Sequence, residues 1–233
     1  MKRKRLPPAD RRESILAAAT HAFATEGFGR ARTQQIARAA GVSEGLLFRH
    51  FPSKEALYEA VHARLIELQD ANFEVMTLPA PSAEGIVRML WATFRACIYE
   101  RPSAQAAAGQ RLMLLSLAGD GEHARLLYRR GFRLGLRALA QALEAARAAG
   151  DLTGPPIEAR NAFALIGHVG MMIRSAQLPG RSVVPYAPSK ERMLSDAVEF
   201  CGRGLGLSEA ALERYARGGS APPLALPPSA GVK

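Results

Sequence analysis

The side chains best suited to bind another molecule are concentrated between Thr33 and Lys54, in the stretch TQQIARAAGVSEGLLFRHFPSK. This stretch carries amide, guanidinium, imidazole and ammonium groups, which hydrogen-bond to base edges and to phosphates. Its pattern predicts two short helices joined by a tight turn at Gly41, with a further helix beginning at Ser53. Such a pair can hold one helix against a scaffold while the other enters a DNA major groove. The stretch therefore predicts a DNA-reading helix-turn-helix.

A longer helix must support that pair. Asp10 and Glu13 resemble a capping box at the start of a first helix, and Gly27 supplies its end. Ile15 and Phe23 follow helical spacing, so we expect them to form its buried side.

The two short helices follow. Thr33 is the expected N-cap of the first, and Ser43 is the expected N-cap of the second, which runs from Glu44 to His50. A helix of about seven residues is too short to be stable alone. We therefore expect one face to be anchored and the other to project. The unbonded amides at its start, beside Ser43, favour phosphates or base-edge acceptors.

Apolar spacing indicates what anchors this helix. Leu47 and Phe51 lie four residues apart and should both point inward. Ser53 is the expected cap of a fourth helix, with Leu57 and Val61 on its buried side.

The remainder of the chain predicts more helices and no sheet. Ala, Leu and Arg are abundant and aromatic residues make up only 6% of the chain, a mixture that favours helices. We predict an all-α fold, with a three-helix helix-turn-helix domain followed by a larger helical domain. Glycine and proline punctuation predicts five further helices, at about 83–100, 103–118, 121–149, 156–177 and 189–206.

Composition divides the chain into modules. The stretch LPAPS is a composition break that marks a boundary. We predict a flexible basic arm at 1–9, a DNA-binding domain at 10–70, and a regulatory and dimerisation domain at 80–207. Residues 216–233 are dominated by Gly, Pro, Ser and Ala and predict a disordered tail.

Charge indicates an anionic partner. The chain has a net charge of +10, and +7 of it falls within residues 1–54. A basic surface of this kind attracts nucleic acid. The excess therefore lies on the module predicted to bind DNA.

Other classes of function find little support. The sequence shows no paired catalytic carboxylates, nucleophile triad, phosphate-binding loop or dinucleotide fingerprint, so we expect neither an enzyme nor a cofactor. Cys97 and Cys201 are expected as buried free thiols, and His123 and His168 as isolated histidines that hold no metal. No apolar run approaches the roughly 20 residues of a membrane span, and the basic start lacks a following apolar segment. We expect a cytoplasmic protein.

The motifs resemble a known family. RRESILAAATHAFATEGF, followed by TQQIARAAGVSEGLLFRHFPSKEALY, is similar to the DNA-binding domain of TetR family transcriptional regulators over about residues 10–65. The resemblance implies that certain positions contact DNA, and Ser43 joins them as the predicted cap. These candidate DNA-binding residues are Thr33, Gln34, Ser43, Glu44, Gly45, Leu46, Phe48, Arg49, His50 and Lys54.

Chemistry suggests roles at some of these positions. Arg49 or Gln34 suits a base edge, whereas Thr33, His50 and Lys54 suit phosphates. Two other positions depart from the family pattern.

Leu46 stands where a small polar residue is common in the family, and Phe48 stands where tyrosine is usual. Leu46 can pack on a thymine methyl group, and Gly45 allows close approach of the backbone. Phe48 keeps the ring but lacks the hydroxyl that usually reaches a phosphate.

The resemblance also implies a homodimer that binds an inverted-repeat operator in double-stranded DNA. The last two core helices would form the interface, and its candidate residues are Leu165, Gly167, Val169, Gly170, Leu194, Ala197, Val198 and Cys201.

Family members usually bind a small molecule in the larger domain. The candidate lining residues for an apolar ligand are Trp91, Phe94, Met113, Leu117, Tyr128, Phe132 and Met172. The sequence leaves three readings open: a repressor released by a ligand, a regulator without a small-molecule effector, or an activator.

Overall fold

The structure is a computed structural model, and it describes residues 8–74, 80–100, 102–119, 121–186 and 189–217. These residues form ten α-helices and a final π-helical turn, Glu213–Arg217. The helices are α1 Pro8–Arg30, α2 Thr33–Ala39, α3 Glu44–His50, α4 Lys54–Glu74, α5 Ala83–Tyr99, α6 Ala104–Ala118, α7 Glu122–Ala148, α8 Ala159–Ser175, α9 Lys190–Gly204 and α10 Glu209–Leu212. The all-α prediction is confirmed, since the described part of the chain contains no strand, only one isolated bridge between Leu152 and Leu207.

Two details of the first helix differ from the prediction. The helix begins at Pro8, because proline suits a first turn whose amide has no intrahelical partner. Asp10 therefore lies in the first turn and is not the N-cap. Gly27 does interrupt the helix, with a φ of 76° and a ψ of 162°, and a short helical segment continues to Arg30.

The described residues divide into two compact units. The first comprises residues up to 71 together with 102–128, and the second comprises 72–101 together with residues from 129 onward. In the first unit, α6 packs on α1, although its sequence lies inside the range predicted for the regulatory domain.

The first unit has its own apolar core. One face of each of its helices contributes, and the largest fully buried side chains are Ile15, Leu16, Phe23, Ile36, Leu47, Leu57 and Leu112. Leu112 comes from α6. This core is the scaffold on which α2 and α3 rest.

His123 is not isolated as predicted. Its ring lies 4.4 Å from that of His62, measured between centroids, and His62 lies 4.1 Å from Tyr58. Both imidazoles are buried. Residue spacing does not reveal this contact, because the two histidines are 61 positions apart.

The second unit is built around α5. Both α8 and α9 pack on it, and its core includes Phe94, Ile166, Val198 and Leu212. Backbone hydrogen bonds from Thr153 N to Gly206 O (2.8 Å) and from Ser208 N to Asp151 O (2.9 Å) tie together the segments that follow α7 and α9.

Helix α10 was not predicted. It begins after Ser208, whose hydroxyl accepts a hydrogen bond from Ala211 N at 3.2 Å. This N-cap serine ahead of Ala211 and Leu212 was a readable signal in the sequence.

The predicted basic arm and the predicted tail lie almost wholly outside the described residues. Among the helices that are described, none has the length and apolar character needed to cross a bilayer.

Candidate nucleic-acid interface

Helix α3 is anchored by one face, as its sequence predicts. Leu47 is fully buried and Phe51, just past the end of the helix, is nearly so. The guanidinium of Arg12, from α1, lies over the Phe51 ring at 5.3 Å from its centroid. The short helix thus draws its stability from tertiary packing, which a helix of this length requires.

The opposite face of α3 is open. Gly45, Phe48 and Arg49 are exposed, and Leu46 and His50 are half-buried. A Cβ atom placed on Gly45 would meet nothing within 4 Å. A second molecule can therefore approach this backbone closely.

The turn before α3 fixes the angle between the two short helices. Gly41 adopts a φ of 71°, in the left-handed region that favours glycine. The Ser14 hydroxyl on α1 donates to the carbonyl of Ala40 at 3.0 Å, which ties the turn to the scaffold. Ser43 caps α3 as predicted, since its Oγ accepts from Leu46 N at 3.2 Å.

Thr33 does not cap α2. The N-cap position is Arg32, and Thr33 is the first helical residue. The Thr33 hydroxyl instead donates to Glu44 Oε1 at 2.6 Å. This hydrogen bond links the start of α2 to the start of α3, a contact that local sequence patterns do not reveal.

Lys54, the first residue of α4, is held in place by two groups. Its Nζ donates to the carbonyl of Gly29 at 3.3 Å and lies 4.7 Å from the centroid of the Phe28 ring. An ammonium has three hydrogens, so this arrangement leaves it able to bind a phosphate. Ser53 caps α4 as predicted, with its Oγ accepting from Ala56 N at 3.1 Å.

Phe28 is a supporting residue that was not predicted from the sequence. Its ring centroid lies 5.9 Å from that of Phe23 and 4.9 Å from that of Tyr58. Phe28 therefore connects the Lys54 ammonium to the aromatic core of the first unit. The contact is between residues far apart in sequence, so no spacing rule could have found it.

An open groove of about 930 Å³ lies where these elements meet. Its lining residues are Glu26, Gly29, Arg30, Ala31, Arg32, Thr33, Gln34, Gln35, Glu44 and Lys54. Arg30 and Arg32 contribute to the basic charge of residues 1–54 but were not predicted to belong to the site. Their position on either side of Ala31, just before Thr33, was the available signal.

The predicted dimer residues fall into two groups. Those pointing inward are Gly170, Leu194, Val198 and Cys201, which are buried within the second unit. A Cβ atom on Gly170 would come within 3.2 Å of the Cys97 sulfur. This glycine therefore serves the contact with α5.

The other predicted dimer residues lie toward the surface. Leu165 and Gly167 are exposed, and Val169 and Ala197 are half-buried. A Cβ atom on Gly167 would meet nothing within 4 Å.

Several large apolar side chains on these helices are exposed. Leu165 and Met172 on α8 are 56% and 55% exposed, and Phe200 on α9 is 70% exposed. Leu165 and Met172 are seven residues apart and so share one face of α8. Phe200 was not among the predicted interface residues, because the continuous apolar stripe on α9 belongs to the buried side of the helix.

The predicted ligand-lining residues divide between the two units. Met113, Leu117 and Tyr128 belong to the first unit, where Met113 is buried and Leu117 is exposed.

The others belong to the second unit. Phe94 lies in its core and Trp91 packs against that core, whereas Met172 is exposed. Phe132 lies 5.4 Å from Phe163, between ring centroids.

The geometry of the first unit defines a class of protein. The first unit contains a short helix anchored by its buried face, a left-handed glycine turn before that helix, and a lysine held at the start of the next helix. Together these features define a helix-turn-helix domain of the DNA-binding type.

Comparison with known proteins gives a family match for the helix-turn-helix domain. Residues 15–61 match the model of the bacterial regulatory proteins of the TetR family. The HTH-type transcriptional regulator RutR of Escherichia coli strain K12 is 45% identical over 58 residues, which are 25% of this chain and 27% of RutR. The HTH-type transcriptional activator FasR of Mycolicibacterium smegmatis is 43% identical over 63 residues, which are 27% of this chain and 29% of FasR. The chain thus matches little more than a quarter of the length of these curated relatives.

The fold likeness extends further. A bacterial regulatory protein in the TetR family from Rhodococcus RHA1 superposes with a TM-score of 0.62 at 20% identity, over 85% of this chain and 98% of that one. The chain therefore shares the fold of this TetR family structure, and its sequence match to the family is confined to residues 15–61.

Proposed function

We propose that this protein is a sequence-specific DNA-binding transcriptional regulator. The observation that carries the proposal is α3, which is anchored through Leu47 and Phe51 and exposes Arg49. Its first residue, Glu44, lines a groove together with Arg30, Arg32 and Lys54. The Arg49 guanidinium suits a guanine edge, and the cations that line the groove suit phosphates. We place this activity in the cytoplasm.

The proposed active form is a homodimer on an inverted repeat. A single helix-turn-helix makes few base contacts, and two-fold symmetry doubles them. The exposed Leu165, Met172 and Phe200 support such a dimer, because a second copy of the chain would remove their apolar surface from water. The space beside the Cα of Gly167 is empty, which would allow a helix of the second copy to come close.

The proposed mode of control is repression that a small, largely apolar ligand relieves. Among the described residues, the buried polar side chains belong to the first unit; they are Thr20, His62, Ser116 and His123. The described core of the second unit is therefore apolar, which suits an apolar ligand. Such a ligand would lower operator affinity by binding one conformation of the dimer more tightly than the other.

Two alternatives stand beside repression. The relative FasR is named a transcriptional activator, so activation is a candidate for this chain as well. A regulator without a small-molecule effector is the other. Ligand-dependent release of operator DNA would support the ligand-controlled form, and its absence across a library of apolar compounds would favour the effector-free form.

Selection of bound DNA from a random pool by the full-length chain tests the proposed function. The expected result is an inverted repeat whose half-sites are about one helical turn apart. Enrichment of no sequence over the starting pool would overturn the proposal.

A further inference from the structure

Glu44 is a carboxylate in a surface otherwise suited to a polyanion. It is the first residue of α3 and lines the groove together with Arg30, Arg32 and Lys54. A negative charge near DNA phosphates is repelled and lowers affinity for every sequence. Its presence at the start of the projecting helix therefore needs a compensating role.

Thr33 fixes the position of that carboxylate. Its hydroxyl donates to Glu44 Oε1 at 2.6 Å, and both side chains are half-buried. A hydroxyl has a single hydrogen, so the Thr33 donor is committed to Glu44. A phosphate offers only acceptors, and the phosphate role expected for Thr33 from the sequence is replaced by a positioning role.

The chemistry of a fixed carboxylate selects among the bases. An ionised carboxylate only accepts hydrogen bonds, and it has room for more than one. In the major groove guanine and thymine present acceptors to it, and adenine places the N7 acceptor beside its N6 donor. Cytosine presents the N4 donor without a neighbouring acceptor.

We propose that Glu44, positioned by Thr33, selects cytosine at one position of each half-site. This inference rests on the proposed DNA-binding function and deepens it by naming a base and the residue that reads it. Glu44 raises specificity at the cost of overall affinity, because only a donor-bearing base offsets the repulsion from the phosphates.

The test is selection from a random DNA pool by the full-length chain and by two variants. The unmodified chain should enrich cytosine at one position of each half-site. In Glu44→Gln the amide can pair with both N6 and N7 of adenine, so the preference should move from cytosine to adenine by about 10-fold in relative affinity. Thr33→Val keeps the shape of the side chain without the hydroxyl, and it should weaken the cytosine preference without moving it to another base.

A matched control is available in the same unit, outside the residues that line the groove. Glu59 is an exposed carboxylate on α4 in the same unit, and Glu59→Gln should leave the selected motif unchanged. Circular dichroism confirms the fold of each variant. If Glu44→Gln does not fold, Glu44→Ala replaces it, and all four bases should then be accepted at the position.

The outcomes separate the two proposals. If the folded Glu44 variant selects the same motif as the unmodified chain, Glu44 does not read a base. Its role would then be only to link α2 to α3. A cytosine-to-adenine shift in Glu59→Gln as well would also overturn the reading role. Failure of the unmodified chain to enrich any motif would instead contradict the proposed DNA-binding function.

Discussion

The two units expose surfaces of opposite character. The DNA-facing surface, comprising α2, α3 and the start of α4, presents polar and basic groups such as Gln34, Arg49 and Lys54. The apolar surface on α8 and α9 presents Leu165, Met172 and Phe200. Both sets of helices rest on apolar cores of their own unit. The buried faces of both sets of helices are therefore alike, and only their exposed faces indicate what kind of molecule each unit binds.

The difference has an energetic consequence. Contacts between cations and phosphates release counterions, so they weaken steeply as salt is added. Burial of a large apolar side chain contributes about 1.5–3 kcal/mol and does not depend on charge screening. Salt should therefore distinguish the two surfaces, weakening the proposed contact with DNA while leaving the proposed contact between copies of the chain intact.

The largest effect is expected from a charge on the apolar surface. In Phe200→Asp an unpaired carboxylate would have to be buried between copies, which is costly. Analytical ultracentrifugation should then give the mass of one chain, 25.0 kDa, instead of the mass of a dimer. Affinity for the selected inverted repeat should fall by about 100-fold, because the two half-sites are no longer bound together.

Leu115→Asp is the matched control, since Leu115 is an exposed apolar residue of the first unit. It should change neither mass nor affinity. A dimeric Phe200→Asp protein would place the contact between copies elsewhere.

A smaller and more selective effect is expected on the DNA-facing surface. Arg49→Ala removes a guanidinium suited to guanine O6 and N7, and it should weaken binding to the selected site by about 10-fold. Binding to shuffled DNA should change little, as fluorescence anisotropy can measure. Equal losses on both DNAs would make Arg49 a phosphate contact instead of a base reader.

Lys54→Ala should reduce affinity for all sequences alike. The plot of log affinity against log salt should become shallower by about one unit. Lys190→Ala is the control, because Lys190 also begins a helix and lies over an aromatic ring, that of Tyr99, at 5.4 Å. Lys190 belongs to the second unit, and its removal should leave the slope as it is. An unchanged slope in Lys54→Ala would exclude a phosphate contact.

The smallest effect concerns the inner side of α9. Burial raises the pKa of the Cys201 thiol to about 11 and also raises the pKa of Cys97. A raised pKa keeps the fraction of reactive thiolate small at neutral and mildly alkaline pH. Both thiols should therefore resist a thiol-specific reagent at pH 8 until the protein is unfolded. Rapid labelling of the native protein would mean that this side of α9 is open.

The helix-turn-helix was predictable because its signals are local. The caps at Ser43 and Ser53, the left-handed Gly41 and the anchors Leu47 and Phe51 each follow from residue type and short spacing. All-α architecture and the approximate helix ranges followed in the same way.

The supports of the site depend on contacts that spacing cannot show. Thr33 reaches Glu44 across the turn, and Lys54 reaches Phe28 from another helix. Both were missed because tertiary packing, not local propensity, brings these side chains together.

The outward face of α9 was missed for a different reason. Leu194 and Val198 form an apolar stripe that the sequence analysis assigned to a dimer, yet they pack inside the chain's own core. Hydrophobic spacing identifies a buried side without saying which molecule buries it. Only the structure shows that Phe200 faces outward.

The central claim is that α3 reads sequence while the cations around it hold phosphates. Its most direct test compares the affinity of the full-length chain for the selected inverted repeat with its affinity for the same bases in shuffled order, at one fixed salt concentration. The account predicts that the inverted repeat binds at least about 1,000-fold more tightly. A ratio near one would contradict the account and leave only charge-driven binding to DNA.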